Sequence, residues 1–152
     1  MSWPPIRGGL SRYLRELKRR SLSLLIYDRG GRRVLYSSVE RGIRPLIDAV
    51  ETVGRDKLEG CIIVDKIVGR AAALIAVYVK ASEVHAVVMS WGAEGILHRS
   101  GIPYSFLVET SYIRGRRGGV CPFERSVEGV EDPEEAYRRI KGLLSRLMET
   151  AR

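Results

Sequence analysis

From residue 61 to residue 108, short apolar runs of strand length alternate with segments of helix length. The strand-like runs are 61–64, 83–89 and 103–108, and between them lie helical patterns over 69–79 and 92–99. Strands that alternate with helices of this size are joined by right-handed crossovers and lie parallel to one another. The segment therefore dictates an α/β domain with a buried sheet. It also sets Asp65, Lys66 and Gly69 after the first apolar run, at what reads as the carboxyl end of a strand. That edge of an open α/β sheet is where ligands bind.

The flanking segments complete the domain. Runs 22–27 and 34–37 are rich in β-formers and are joined by Asp28-Arg29-Gly30-Gly31-Arg32, which suits an antiparallel hairpin. Gly42-Ile43-Arg44-Pro45 opens a helix with proline at an early position. Leu46, Ile47, Val50 and Val53 form its inner face, and Gly54 ends it. Leu10, Leu14 and Leu17 recur at helical spacing with Ser11 as cap, which predicts an N-terminal basic arm and helix over 1–20. The core spans 21–126. A C-terminal amphipathic helix within 127–152 starts at Asp132-Pro133-Glu134-Glu135, with a cap, a proline at the first helical position and two acids in the first turn.

Composition narrows the class of protein. The 152 residues include 45% apolar side chains, enough for one domain. No apolar stretch approaches the roughly 20 residues of a membrane helix. Two cysteines and no signal-peptide pattern predict a cytoplasmic protein with reduced thiols. Asn and Gln are absent and Arg outnumbers Lys 21 to 5, a loss of thermolabile amides that points to a thermophilic source. The net charge of +8 is concentrated in residues 1–33, which carry +7. Residues 7–33 and the arginine-rich loop 114–117 could meet nucleic acid, although an arginine-rich helix face is commonly just solvated. The leucine face of the first helix, or the last helix, could instead serve a homodimer.

Three segments carry a family resemblance: Gly42-Ile43-Arg44-Pro45-Leu46, Asp65-Lys66-Ile67-Val68-Gly69-Arg70-Ala71-Ala72-Ala73 and Cys121-Pro122-Phe123-Glu124. Over about 22–124 the chain resembles a prokaryotic family of unknown function with a cytidine-deaminase-like fold. The resemblance implies a three-layer α-β-α sandwich around a mixed five-stranded sheet, an antiparallel hairpin followed by parallel strands. It implies no activity. Zinc deaminases hold their metal with His or Cys and Cys pairs at two helix starts, beside a glutamate. The corresponding starts here offer Asp65, Lys66 and Arg70, then Ser90, Trp91 and Gly92. The usual zinc site is therefore expected to be absent, with no other cofactor implied. His85 in an apolar strand and His98 near a helix end read first as packing and capping residues.

What remains is a candidate pocket for a small anionic ligand, a nucleotide or nucleobase derivative. Asp65 reads equally as a helix cap or as a general base, and Lys66 as an anion contact. Gly69, Arg70, Ser90 and Glu124 would line the pocket. The alanines at 71–73 suit close helix-to-sheet packing. Cys121 follows a loop carrying Arg114, Arg116 and Arg117, whose charges would favour a thiolate, and it reads as nucleophile or as a buried structural residue. With Asp65 and Lys66 it makes up the catalytic candidates, and whether the protein is an enzyme stays open.

Overall fold

The computed structural model describes residues 11–151, so Leu10 and the rest of the N-terminal arm lie outside the described residues. The first element is α1 (Arg12–Arg19), capped by the Ser11 hydroxyl, which accepts from Leu14 N at 3.2 Å. The hairpin strands β1 (Leu24–Tyr27) and β2 (Val34–Ser38) follow, then α2 (Arg44–Val53) and a short α3 (Arg55–Leu58). Next come β3 (Ile62–Val68), α4 (Arg70–Tyr78), β4 (Glu83–Ser90), α5 (Trp91–Arg99) and β5 (Tyr104–Thr110). The chain closes with α6 (Pro122–Ser126) and α7 (Pro133–Thr150).

The five strands form one sheet in the order β2-β1-β3-β4-β5. β1 runs antiparallel to both β2 and β3, while β3, β4 and β5 are mutually parallel. The mixed sheet, antiparallel hairpin first and parallel strands after, is the one the sequence pattern predicts. Asp28 steadies the hairpin turn, its carboxylate accepting from the Arg32 and Arg33 amides at 3.0 and 3.3 Å.

Two cores lie on opposite faces of the sheet. On one face α1 sets Leu14 and Leu17, both fully buried, against Leu25, Tyr27, Ile62, Val64 and Val87. The other face carries the larger core, built from α2, α4, α5, α6 and α7. Gly31, at φ 69°, lets Arg12 and Tyr13 of α1 press on the hairpin where a Cβ would stand. Helix α4 is buried from Ala71 through Ala76 without interruption. It lies between the sheet on one side and α5 and α7 on the others. Its alanines thus serve more than a close approach to the sheet: small side chains are needed on nearly every side. Tyr78 of α4 stacks on Tyr137 of α7 at 4.5 Å, and the Arg55 guanidinium covers Tyr78 at 3.9 Å.

Three local features differ from the sequence pattern. β3 extends four residues past Val64, because Ile67 and Val68 pair with Val88 and Met89 of β4. Such pairing overrides the weak strand preference of Asp65-Lys66. Residues 55–58 form a helical turn, and the Cys121-Pro122-Phe123-Glu124 motif starts a helix. No helix among the described residues is long and apolar enough to cross a membrane.

Among the described residues, α1 is the helix that covers its face of the sheet. Leu17→Ala should lose about 2–5 kcal/mol of unfolding free energy, the range for emptying a buried leucine site. The midpoint and slope of a urea titration would measure it.

Candidate functional site

The carboxyl ends of β3, β4 and β5 meet the starts of α4 and α5 and the loop that precedes α6. Its central contact is made by Glu124. The carboxylate accepts from the Arg70 and Ala71 amides, both at 2.6 Å, and so closes the open start of α4. Free N–H groups and the helix dipole make such a start attractive to anions. Here the chain's own carboxylate occupies it. Burial pushes the Glu124 carboxyl above its usual range, and the two amides pull it partway back.

Gly69 makes the contact possible. A Cβ at this position would overlap Glu124 Oε1 and stand 2.6 Å from Ile113 Cγ1. Its backbone is extended, so the need is for space and not for an unusual conformation. Arg70 fastens the same region from the other side: its guanidinium donates to the Val127 and Val130 carbonyls at 3.1 and 3.0 Å. Ser90 caps α5, accepting from Ala93 N at 3.2 Å, and is fully buried. Gly69, Arg70 and Glu124 thus come together, joined in contacts within the chain.

Asp65 and Lys66 are separated by the extension of β3. Both lie inside the strand, where successive side chains point to opposite faces. Ile63 belongs to the larger core and Val64 to the core under α1, so the alternation sets Asp65 on the larger-core face and Lys66 on the face of α1. Asp65 is not the cap of α4; it precedes Gly69 by four residues, about 13 Å along a strand. Its carboxyl is half-buried yet closely surrounded by protein atoms, and desolvation pushes it up to about 7. The hydrogen bonds that partly offset this come from the Ile67 amide, at 3.4 Å, and the Lys66 amide, with no cation among the described residues set against the carboxyl.

Cys121 is half-buried at the base of the arginine-rich loop, its amide donating to the Ile113 carbonyl at 3.0 Å. It belongs to the segment held at Gly69 through Ile113 and Glu124. Arg114 and Val120 form a β-bridge that narrows the loop, with Arg114, Arg116 and Arg117 exposed. Cys61 is buried before β3 and its thiol is pushed up to about 12 by desolvation. Among the described residues, no group of three His, Cys, Asp or Glu side chains could hold a metal ion. On α1, Arg19 and Arg20 both bond to Glu16, which offsets part of that helix's positive charge.

Two groups escape the sequence pattern. Trp91, 61% exposed, donates from Nε1 to Glu109 Oε1 at 2.8 Å. Glu94 lies beside Glu109, and burial together with that second carboxyl raises its pKa. On the α1 face, His85 bonds to both Ser105 and Glu83. The i, i+2 spacing of Glu83 and His85 is visible in the sequence, whereas Ser105 joins them only through the β4–β5 register.

A family model described as TM1506, domain of unknown function DUF1893, matches residues 12–144. Among solved structures, the crystal structure of a DUF1893 family protein (TM1506) from Thermotoga maritima is 32% identical, with a TM-score of 0.74 over 88% of this chain and 86% of that one. No curated protein matches the chain.

Two substitutions probe this region. Gly69→Ala should cost about 1–3 kcal/mol in denaturant unfolding, because the added methyl forces Glu124 off the α4 amides. Asp65 gives a pH signature. The unfolded chain releases this proton near pH 4 and the folded chain near 7, so the fold holds it more tightly and stability falls as pH rises through that window. The expected loss is on the order of 1–3 kcal/mol. Asp65→Asn should remove that slope and gain on the native chain at pH 8, read from paired urea titrations at pH 4.5 and 8.

Proposed function

Because the chain belongs to the DUF1893 family, a domain of unknown function, what it does must be argued from the site, and we propose that it binds a nucleobase or nucleotide derivative at the carboxyl half of the parallel strands. The observation that carries this reading is Asp65, a half-buried carboxyl on the central strand that desolvation pushes up to about 7 and that has no cationic partner among the described residues. A desolvated carboxyl of this kind is an uncompensated cost in the unliganded fold. A ligand that offers it an N–H edge or an amine offsets that cost. Near pH 7 the group can accept or donate a hydrogen bond, which suits the mixed donor and acceptor edge of a nucleobase.

The anionic part of such a ligand has no room at the start of α4, where Glu124 already accepts both amides. The exposed guanidiniums of Arg114, Arg116 and Arg117 are the alternative, on a loop anchored beside Gly69 through Ile113. Guanidiniums bind phosphate bidentately and suit this role. Asp65 is then the recognition group, and also the proton-transfer group if a reaction follows binding. Lys66 and Cys121 stand outside that pair.

A thermal-shift series with nucleobases, nucleosides and nucleotides tests the reading. A ligand present at a hundred times its dissociation constant adds about 2.7 kcal/mol, which for a chain of this size raises Tm by about 5–10 °C. Asp65→Asn should abolish the shift for all members of the set. Replacing the three loop arginines by alanine should remove it for phosphorylated members alone. The reading fails if no compound shifts Tm at millimolar concentration, or if the shift survives in Asp65→Asn. Binding only to RNA or DNA, with a steep loss on added salt, would point instead to the basic surface.

A further inference from the structure

On the face of the sheet that α1 covers, a serine, a histidine and a glutamate form one hydrogen-bonded line. His85 Nδ1 lies 2.6 Å from Ser105 Oγ, and His85 Nε2 lies 2.9 Å from Glu83 Oε2. The backbone builds this arrangement simply. Glu83 and His85 are two apart on β4 and so share a face, and the parallel register sets Ser105 of β5 directly beside His85. The imidazole is further fixed by Tyr13 of α1, whose ring stacks on it at 4.9 Å and 26°. Its side chain is only 13% exposed, while Glu83 is 40% exposed and Ser105 is half-buried on the sheet's outermost strand.

For a neutral imidazole the two contacts select the direction of the hydrogen bonds. A carboxylate can only accept, so the imidazole proton sits on Nε2 and points at Glu83. Nδ1 is left with its lone pair toward Ser105, whose hydroxyl must then donate. The opposite tautomer would set a bare nitrogen against the carboxylate. The order hydroxyl, imidazole, carboxylate is that of an activated serine, with the ring nitrogens exchanged relative to the familiar triad: here Nδ1 faces the hydroxyl and Nε2 the carboxylate. Both ring nitrogens are thus committed, one to the hydroxyl and one to the carboxylate. Leu107, partly exposed, lies two residues along the same face of β5.

We propose that Ser105, His85 and Glu83 form a nucleophile, base and positioning carboxylate that cleave the acyl group from a small ester. Ser105 Oγ attacks the carbonyl carbon as His85 Nδ1 takes the hydroxyl proton. The carbon–oxygen bond to the leaving alcohol breaks, and the alcohol departs with that proton. Water then attacks the acyl-serine, gives a proton to His85 and releases the acid, and the proton returns to Ser105. The site is independent of Asp65, which lies on the other face of the sheet.

The test uses the full chain with a fluorophosphonate probe and with p-nitrophenyl acetate. Intact-mass and peptide mapping should find one covalent adduct, on Ser105, and the ester should give a burst of p-nitrophenol matching the protein concentration. Ser105→Ala should abolish both. His85→Gln should slow labelling at least tenfold, within the usual contribution of a general base, and Glu83→Gln should slow it less with a native circular dichroism spectrum. The proposal is overturned if the native chain acquires no adduct on Ser105. It is overturned equally if labelling is as fast in folded His85→Gln, or, should that variant not fold, in Glu83→Gln.

Discussion

The carboxylate of Glu124, held by the first two amides of α4, is the contact on which the arrangement of the carboxyl edge depends. It joins segments more than fifty residues apart and ends in a partly desolvated place, where a charge-assisted hydrogen bond is stronger than in water. Arg70 answers it by binding the carbonyls that follow α6. Between them, the two side chains draw α6 and the approach to α7 onto α4. The packing of Val127, Val130, Ala136 and Ile140 into the larger core follows from that docking.

The same contact decides what the edge can offer a ligand. A parallel sheet with a glycine before a helix start invites an anion, and the sequence alone supports that reading of Gly69 and Arg70. Their neighbours reverse the implication: the glycine makes room for a side chain of the protein, and the arginine binds backbone. What is left for recognition is the less obvious Asp65 and a loop of exposed arginines.

Much of the fold was legible because its signals are local. The Asp28 hairpin, the proline start of α2, the Ser11 and Asp132 caps and the strand–helix alternation all rest on residues within a few positions of one another. The site was less legible because it depends on pairing between distant segments. The length of β3 is decided by β4, and once Asp65 and Lys66 fall inside a strand they cannot face one cavity. Glu124 lies in a motif recognisable in the sequence, yet its partner amides are set by the tertiary fold. Ser105 stands beside His85 only because two parallel strands meet in one register out of several that their apolar patterns would allow.

Helix α4 is surrounded by other elements and not laid on the surface of one. A helix that only covers a sheet can detach and leave the remainder standing, and α1 is of that kind. α4 has no such exit, since its release requires α7 to lift, the Glu124 and Arg70 contacts to part and the sheet to lose its cover together. The amides of α4 and of the strands beneath it are therefore expected to exchange with solvent through global opening, and those of α1 through a smaller local one. The hydroxyl–imidazole line lies on the face that α1 covers, and Asp65 on the face of α4.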